Sequence, residues 1–255
     1  MATPMKYVFI LMVLFSQSSA AQTLNDIEWI TEEFPPLNYT DKNGQIQGFT
    51  VDILLEMWKK VGLNKTKKDI TVMPWARGIS MLERDINVCL FGMGITLERK
   101  NRYQFVGGIP GVMRGLIAKR KSGYTFNDIE DVNFKVDPGR IGAVRQDLTM
   151  ELFLSRGGNK KLLYTVPRGV QLVRMLKKGR VDLIAYGDMP AFKLMKSEGM
   201  LPINYEVVYS MGEGEFGYGF NEIANPRIIG QLQSALDELI STGVVAKIRD
   251  HHTSQ

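Results

Sequence analysis

The sequence predicts an α/β protein of two similar lobes, each a mainly parallel sheet flanked by helices, with a hinged cleft between them. Three observations lead there. Short apolar strands alternate with amphipathic helices along most of the chain, the pattern of βαβ units. Met81-Leu82-Glu83-Arg84-Asp85-Ile86-Asn87-Val88-Cys89-Leu90-Phe91-Gly92 recurs, with one inserted residue, as Met175-Leu176-Lys177-Lys178-Gly179-Arg180-Val181-Asp182-Leu183-Ile184-Ala185-Tyr186-Gly187. Each copy is a helix end, a tight turn, an apolar strand and a glycine, so two strand ends face one shared crevice. Finally, Gly212-Glu213-Gly214-Glu215-Phe216-Gly217-Tyr218-Gly219 reads as a return crossing beside an outgoing strand at Gly115–Lys119, and two adjacent crossings make a hinge.

At the start of the chain, Lys6 precedes the apolar run Tyr7 to Phe15, and Ser18-Ser19-Ala20-Ala21 supplies small residues for cleavage. Residues 1–21 are therefore expected to be a secretory signal peptide, the apolar run being far shorter than the roughly 20 residues of a membrane span. Its removal leaves about 234 residues, enough for a sizeable core. Cys89 is the only cysteine, so an exported chain gains no disulfide framework and relies on packing. The formal charge of +5 falls to +4 without Lys6. The basic clusters Lys65/Lys67/Lys68 and Lys119/Arg120/Lys121 lack interleaved aromatics, which argues against nucleic acid.

In the mature chain, Phe34-Pro35-Pro36 excludes helix and Asp41-Lys42-Asn43-Gly44 signals a turn, so residues 27–48 read as a strand, a loop and a hairpin. Thr50 opens a helix with Val51, Leu54, Leu55, Trp58 and Val61 on one face and Gly62 at its stop. A strand at 70–73, a short helix from Ile79 to Arg84 and a strand from Ile86 to Phe91 follow. Beyond the outgoing crossing come a strand at 140–144, a helix from Asp147 to Arg156 ended by Gly157-Gly158, and a helix from Gln171 to Lys178. The last helix carries Ile228, Ile229, Leu232, Ala235, Leu236 and Leu239 on one face. Lobe one is expected to be discontinuous, residues 22–112 plus 213–255, and lobe two to span 113–212.

Several segments carry a resemblance: Phe34-Pro35-Pro36-Leu37-Asn38-Tyr39 followed by Asn43 to Asp52, Pro74-Trp75-Ala76-Arg77, Ile95-Thr96-Leu97-Glu98-Arg99, and Gly179-Arg180-Val181-Asp182 with Asp188 downstream. In this order they resemble the family 3 periplasmic solute-binding proteins, the polar amino-acid binding components of ABC importers. The resemblance implies a type II periplasmic-binding-protein-like fold, a periplasmic location, a small amino-acid or organic-acid ligand, and delivery to an ABC permease. The sequence shows no Ser-His-Asp arrangement, metal-ligand cluster or phosphate loop, so no cofactor, metal or catalysis is expected, and a monomer is.

By the same resemblance Arg99, with Thr96 and Gly94 beside it, clamps the ligand's carboxylate. A guanidinium fork suits two parallel hydrogen bonds to a carboxylate; the alternative is a surface pair of Arg99 with Glu98 or Asp85. Asp188 is the candidate for the ligand's ammonium, although the spacing from Asp182 exceeds the family's by one residue. Phe34 and Trp75 are expected aromatic walls. Gly92 and Gly94 stand where amino-acid binders often carry serine hydroxyls. On lobe two, Arg145 and Thr149 flank a helix start whose N–H groups suit a polar ligand end, with Asp147 either there or as the N-cap.

Three functions compete: a transport binding protein that closes on its solute, a stand-alone sensory binding protein serving a separate membrane receptor, and a dehydratase-like enzyme on the same fold. Catalysis needs an acid or base in the cleft. The two histidines, His251 and His252, lie in a polar C-terminal tail, where disorder is usual, and Glu33 has no partner carboxylate in the pattern.

Overall fold

The computed structural model describes residues 22–253, so the expected signal peptide lies outside the described residues. In chain order the elements of the first half are β1 (Glu28–Thr31), β2 (Tyr39–Thr40), β3 (Ile46–Gln47), α1 (Phe49–Lys60), β4 (Ile70–Val72), α2 (Trp75–Arg84), β5 (Val88–Ile95), α3 (Leu97–Lys100) and β6 (Tyr103–Lys119). There follow α4 (Ile129–Lys135), β7 (Ile141–Val144), α5 (Leu148–Ser155), β8 (Leu163–Val166), α6 (Gly169–Lys177), β9 (Leu183–Gly187), α7 (Asp188–Ser197), β10 (Tyr205–Asn221), α8 (Pro226–Ser241) and α9 (Val244–Thr253).

The principal sheet has the order β4-β1-β5-β10-β6-β9-β7-β8. Its two ends, β4-β1-β5 and β9-β7-β8, are parallel triplets, as the strand–helix alternation requires. Between them run β6 and β10, antiparallel to each other over most of their length. The late part of β10 pairs with β5 and the late part of β6 with β9, so the same two strands serve both triplets. Their register slips between Ser210 and Gly212 and again between Glu213 and Glu215, where a bulge bends a strand pair. A Cβ on Gly111 would lie 1.8 Å from the Gly214 carbonyl oxygen, so only glycine permits the strands to pass so closely there. The expected lobe boundaries, 112/113 and 212/213, fall in this stretch.

On the first triplet α2 packs against β1 and β5, α1 reaches β1 through Trp58, and α8 lies beside α1 on β6. Trp29, fully buried on β1, meets Trp58 edge-on at 5.3 Å and Phe220 at 6.1 Å, pairs that stabilise beyond simple area burial. A second apolar cluster, with Leu116, Ile141, Phe153 and Leu183, fills the space beneath the other triplet.

Some elements differ from the sequence reading. The crossings expected at Gly115–Lys119 and Gly212–Gly219 are the strands β6 and β10, which each run 17 residues, longer than expected because cross-strand pairing continues through their glycines and Pro110. Helix α2 begins at Trp75 rather than Ile79, because Pro74 N-caps it and Gly78, a weak helix former, is kept where Leu90 and Ile30 press on the helix. The histidine pair is not in a disordered tail. Both lie in α9, and His252 Nε2 is 2.7 Å from Asp52 Oδ2 on α1, a contact that no local pattern announces.

Candidate functional site

Most of the residues singled out in the sequence converge where β1, β5 and β9 end, beside the middle of β6 and against α5. Strand β5 stops at Ile95, and Thr96 caps the short α3 by accepting from Arg99 N at 3.1 Å. The Arg99 side chain folds back over the strand end and is 2% exposed. Its Nη1 donates to the Gly94 carbonyl at 3.2 Å, its Nε to Glu151 Oε2 at 2.9 Å and its Nη2 to the Gln146 carbonyl at 3.3 Å. Arg99 thus pairs with Glu151 on α5, not with Glu98 or Asp85. Trp75 donates from Nε1 to the same Gln146 carbonyl at 2.7 Å, and the Arg99 guanidinium lies 5.6 Å from its ring centre, a cation–π contact.

A second buried cation stands beside the first. Arg114, on β6 and 3% exposed, donates from Nη1 to Thr149 Oγ1 at 3.3 Å and lies 3.8 Å from Asp147 Oδ2. Its guanidinium faces Phe216 at 5.1 Å and Phe34 at 5.8 Å. Burial pushes its pKa down, against the opposing pull of Asp147. Asp147 is the N-cap of α5, accepting from Thr149 N at 2.8 Å. Arg145, two residues earlier, is exposed. Phe34 is buried, edge-on to Tyr186 at 5.1 Å and to Phe216 at 6.0 Å.

The glycines explain the missing hydroxyls. A Cβ on Gly94 would lie 2.3 Å from Leu148 Cδ2 and 3.1 Å from Arg114 Nη2, so Leu148 of α5 occupies the space a serine side chain would need. A Cβ on Gly187 would meet Val112, Pro190 and, at 3.3 Å, the Phe34 ring. The residue whose side chain would abut Phe34 is therefore Gly187, while Asp188 starts α7. Asp188 is half-buried, and its Oδ1 accepts from Met189 N at 2.6 Å. Burial raises its pKa, partly offset by that hydrogen bond, and Glu213 adds to the rise.

Four groups that the sequence reading did not select complete the site. Glu32, directly after β1, is 6% exposed; burial first, then Asp147, hold its carboxyl well above the usual range, with Arg114 and Arg99 opposing. Tyr186 is 1% exposed and its hydroxyl has no hydrogen-bond partner. Arg114 carries the clearest missed signal, a lone cation inside the apolar run Val112 to Ala118. Glu151 carries none, since an acidic residue in a helix is ordinary. Among the described residues no three His, Cys, Asp or Glu side chains are grouped to hold a metal ion.

The arrangement is a cleft floor with two buried guanidiniums, aromatic sides and carboxylates reaching in from both strand triplets. A family model described as bacterial extracellular solute-binding proteins, family 3, matches residues 28–255. The chain belongs to this family. Across 94% of its length it is 26% identical to an arginine-binding periplasmic protein of Mannheimia haemolytica, covering 96% of that relative. Its fold is similar to that of ArtJ, an arginine-, lysine-, histidine-binding protein from the thermophilic bacterium Geobacillus stearothermophilus, with a TM-score of 0.74 at 20% identity over 90% of this chain and 96% of the other. It is also similar to a histidine kinase sensor domain described as having similarity to periplasmic binding proteins, with a TM-score of 0.72 at 20% identity over 89% and 95% of the two chains. The family and its curated relative are solute-binding proteins, and no helix of the described residues is long and apolar enough to cross a membrane.

Proposed function

We propose that this family 3 solute-binding protein works in the periplasm, closing its cleft on an amino-acid-like carboxylate for delivery to an ABC permease, and binds its solute without transforming it. The observation that supports this most directly is the Arg99–Glu151 contact. A nearly buried guanidinium on one side of the cleft holds a carboxylate supplied by the other at 2.9 Å, the geometry a ligand carboxylate would adopt on displacing Glu151. In this reading lobe one is residues 22–112 plus 213–255 and lobe two 113–212, hinged at the slipped register of β6 and β10. Arg99 clamps the carboxylate with Thr96 and Gly94 fixing its posture. Trp75 and Phe34 wall the site, and Thr149 orients Arg114. Asp188 and Arg145 act at the margins, Asp188 already holding its own helix N-terminus and Arg145 facing solvent. Contacts made only in the closed form are what bias the hinge toward closure.

The test is a thermal-shift screen of the chain from Gln22 onward against amino acids, small organic acids and polyamines, with Arg99→Ala alongside. A ligand at a hundred times its dissociation constant adds about 2.7 kcal/mol, a rise in Tm of several degrees. The expected result is such a rise with a carboxylate-bearing solute that is lost in Arg99→Ala. Stabilisation that survives Arg99→Ala, or none from any carboxylate, sinks the clamp.

A further inference from the structure

Two segments away from the cleft have no part in solute binding: the basic cluster Lys119/Arg120/Lys121 and the run Leu201-Pro202-Ile203. The fold joins them. Pro202–Asn204 is a short 3-10 turn ahead of β10, and Arg120 ties it to the end of β6. The Arg120 backbone N donates to the Asn204 carbonyl at 2.7 Å and its Nε to the Ile203 carbonyl at 2.8 Å. Leu201 and Ile203, on either side of Pro202, are 66% and 73% exposed. A lone exposed apolar residue is ordinary, but here two large ones share one turn.

The same turn packs against α7, and Pro202 shares a cavity of about 260 Å³ with Phe192, Lys193 and Lys196 of that helix. The apolar pair thus sits between Lys119 and Lys121 at the end of β6 and Lys193 and Lys196 on α7. Among the described residues none of these four lysines forms an ion pair, whereas the nearby carboxylates are taken, Glu206 by Arg120 at 2.9 Å and Glu198 by Arg174 at 2.8 Å. Lys121 keeps its place at a backbone cost. Its φ is 60°, a left-handed conformation that favours glycine or asparagine, so the turn geometry is not what calls for lysine there.

This chemistry fits a lipid surface better than a protein partner. Lysines are depleted in protein interfaces, and the one arginine of the cluster is spent on Ile203 and Glu206. Flexible point charges around apolar side chains instead draw a protein to anionic headgroups and let the apolar groups enter the acyl boundary. We propose that the Leu201–Ile203 turn, flanked by Lys119, Lys121, Lys193 and Lys196, docks the protein on the anionic surface of a lipid bilayer, independently of the cleft and its solute.

The test is co-sedimentation of the chain from Gln22 onward with vesicles of phosphatidylcholine alone and of about two parts phosphatidylcholine to one part phosphatidylglycerol. The expected result is binding at least about tenfold tighter to the anionic vesicles, weakened about fivefold by each of Lys119→Gln and Lys121→Asn. It is largely lost in about 1 M NaCl, where the screening length falls from about 10 Å to about 3 Å. Leu201→Ser with Ile203→Ser weakens it as well, and none of these changes lowers Tm, all being at exposed positions. Equal binding to both vesicles, binding to neither, or anionic binding that every variant leaves intact overturns the proposal. Binding that the lysine variants weaken, the serine pair does not, and poly-L-glutamate displaces is charge attraction alone; it overturns the lipid assignment and gives the face to an acidic protein.

Discussion

Replacing Glu151 with glutamine separates a structural salt bridge from a ligand mimic. Glu151 Oε2 accepts from Arg99 Nε at 2.9 Å, with side-chain exposures of 27% and 2%. Glutamine keeps an acceptor of the same reach and removes the charge. The ion pair becomes a hydrogen bond from the guanidinium to a neutral amide oxygen, so the substitution weakens the contact by on the order of 1 kcal/mol. Folding stability should register little of this. Burial, helped by Asp147 and Glu98, raises the Glu151 carboxyl above its ordinary pKa in spite of Arg99, so desolvation and the neighbouring carboxylates already offset the attraction in the unliganded protein. Ligand affinity should register it fully, because an incoming carboxylate must displace Glu151 from Arg99. Calorimetric titration of Glu151→Gln with the carboxylate-bearing solute found in the thermal-shift screen is therefore expected to show about fivefold tighter binding than wild type, with Tm in the absence of ligand within a few degrees. Unchanged or weaker affinity refutes the reasoning, because Glu151 would then either not compete for Arg99 or itself hold the solute.

Two further outcomes follow from groups away from the cleft floor. Arg140 bonds Asp182 through Nε at 2.8 Å and Nη2 at 2.5 Å and reaches the Arg180 and Gly179 carbonyls; it holds the Asp182 carboxyl below its usual range. Stability from a lowered carboxyl pKa is present above the unfolded value and fades as pH falls through the folded one. Asp182→Asn should thus cost on the order of 1 kcal/mol at pH 7, discounted for partial exposure, and the difference from wild type should shrink toward pH 3 in urea titrations. Cys89 is buried and burial pushes its thiol well above the ordinary range, so it should resist a thiol reagent in the native protein and react promptly in denaturant. Rapid native labelling would mean that β5 opens far more readily than its fully buried core position implies.

The fold was largely legible because the features that specify it are local. Apolar periodicity marks α1 and α8, turn residues mark the β2–β3 hairpin, and the repeated helix–turn–strand places β5 and β9 in equivalent settings. The crossings β6 and β10 were legible at Gly115–Lys119 and Gly212–Gly219, but not their full length, which depends on pairing between the two strands. At the site, residues inside short recognisable motifs were legible and their partners were not. Arg99, Thr96, Trp75 and Phe34 sit within such motifs, and the structure gathers them. Glu151 lies 52 positions from Arg99 and becomes significant only when the chain brings α5 over the end of β5. Glu32 and Glu33 carry the same local signal, and only the fold makes them different, Glu33 bonded to Thr40 and Glu32 6% exposed.

The shifted aspartate and the missing serines then have one physical account. A leucine at position 148 and a glycine at 94 fill by apolar contact the space where hydroxyls would sit, and a glycine at 187 leaves the Phe34 ring without a facing carboxylate. With those polar contacts absent, the charged groups that remain dominate the cleft floor, and both guanidiniums are already engaged, Arg99 with Glu151 and Arg114 with Thr149 and Asp147, so a ligand carboxylate has to compete for them.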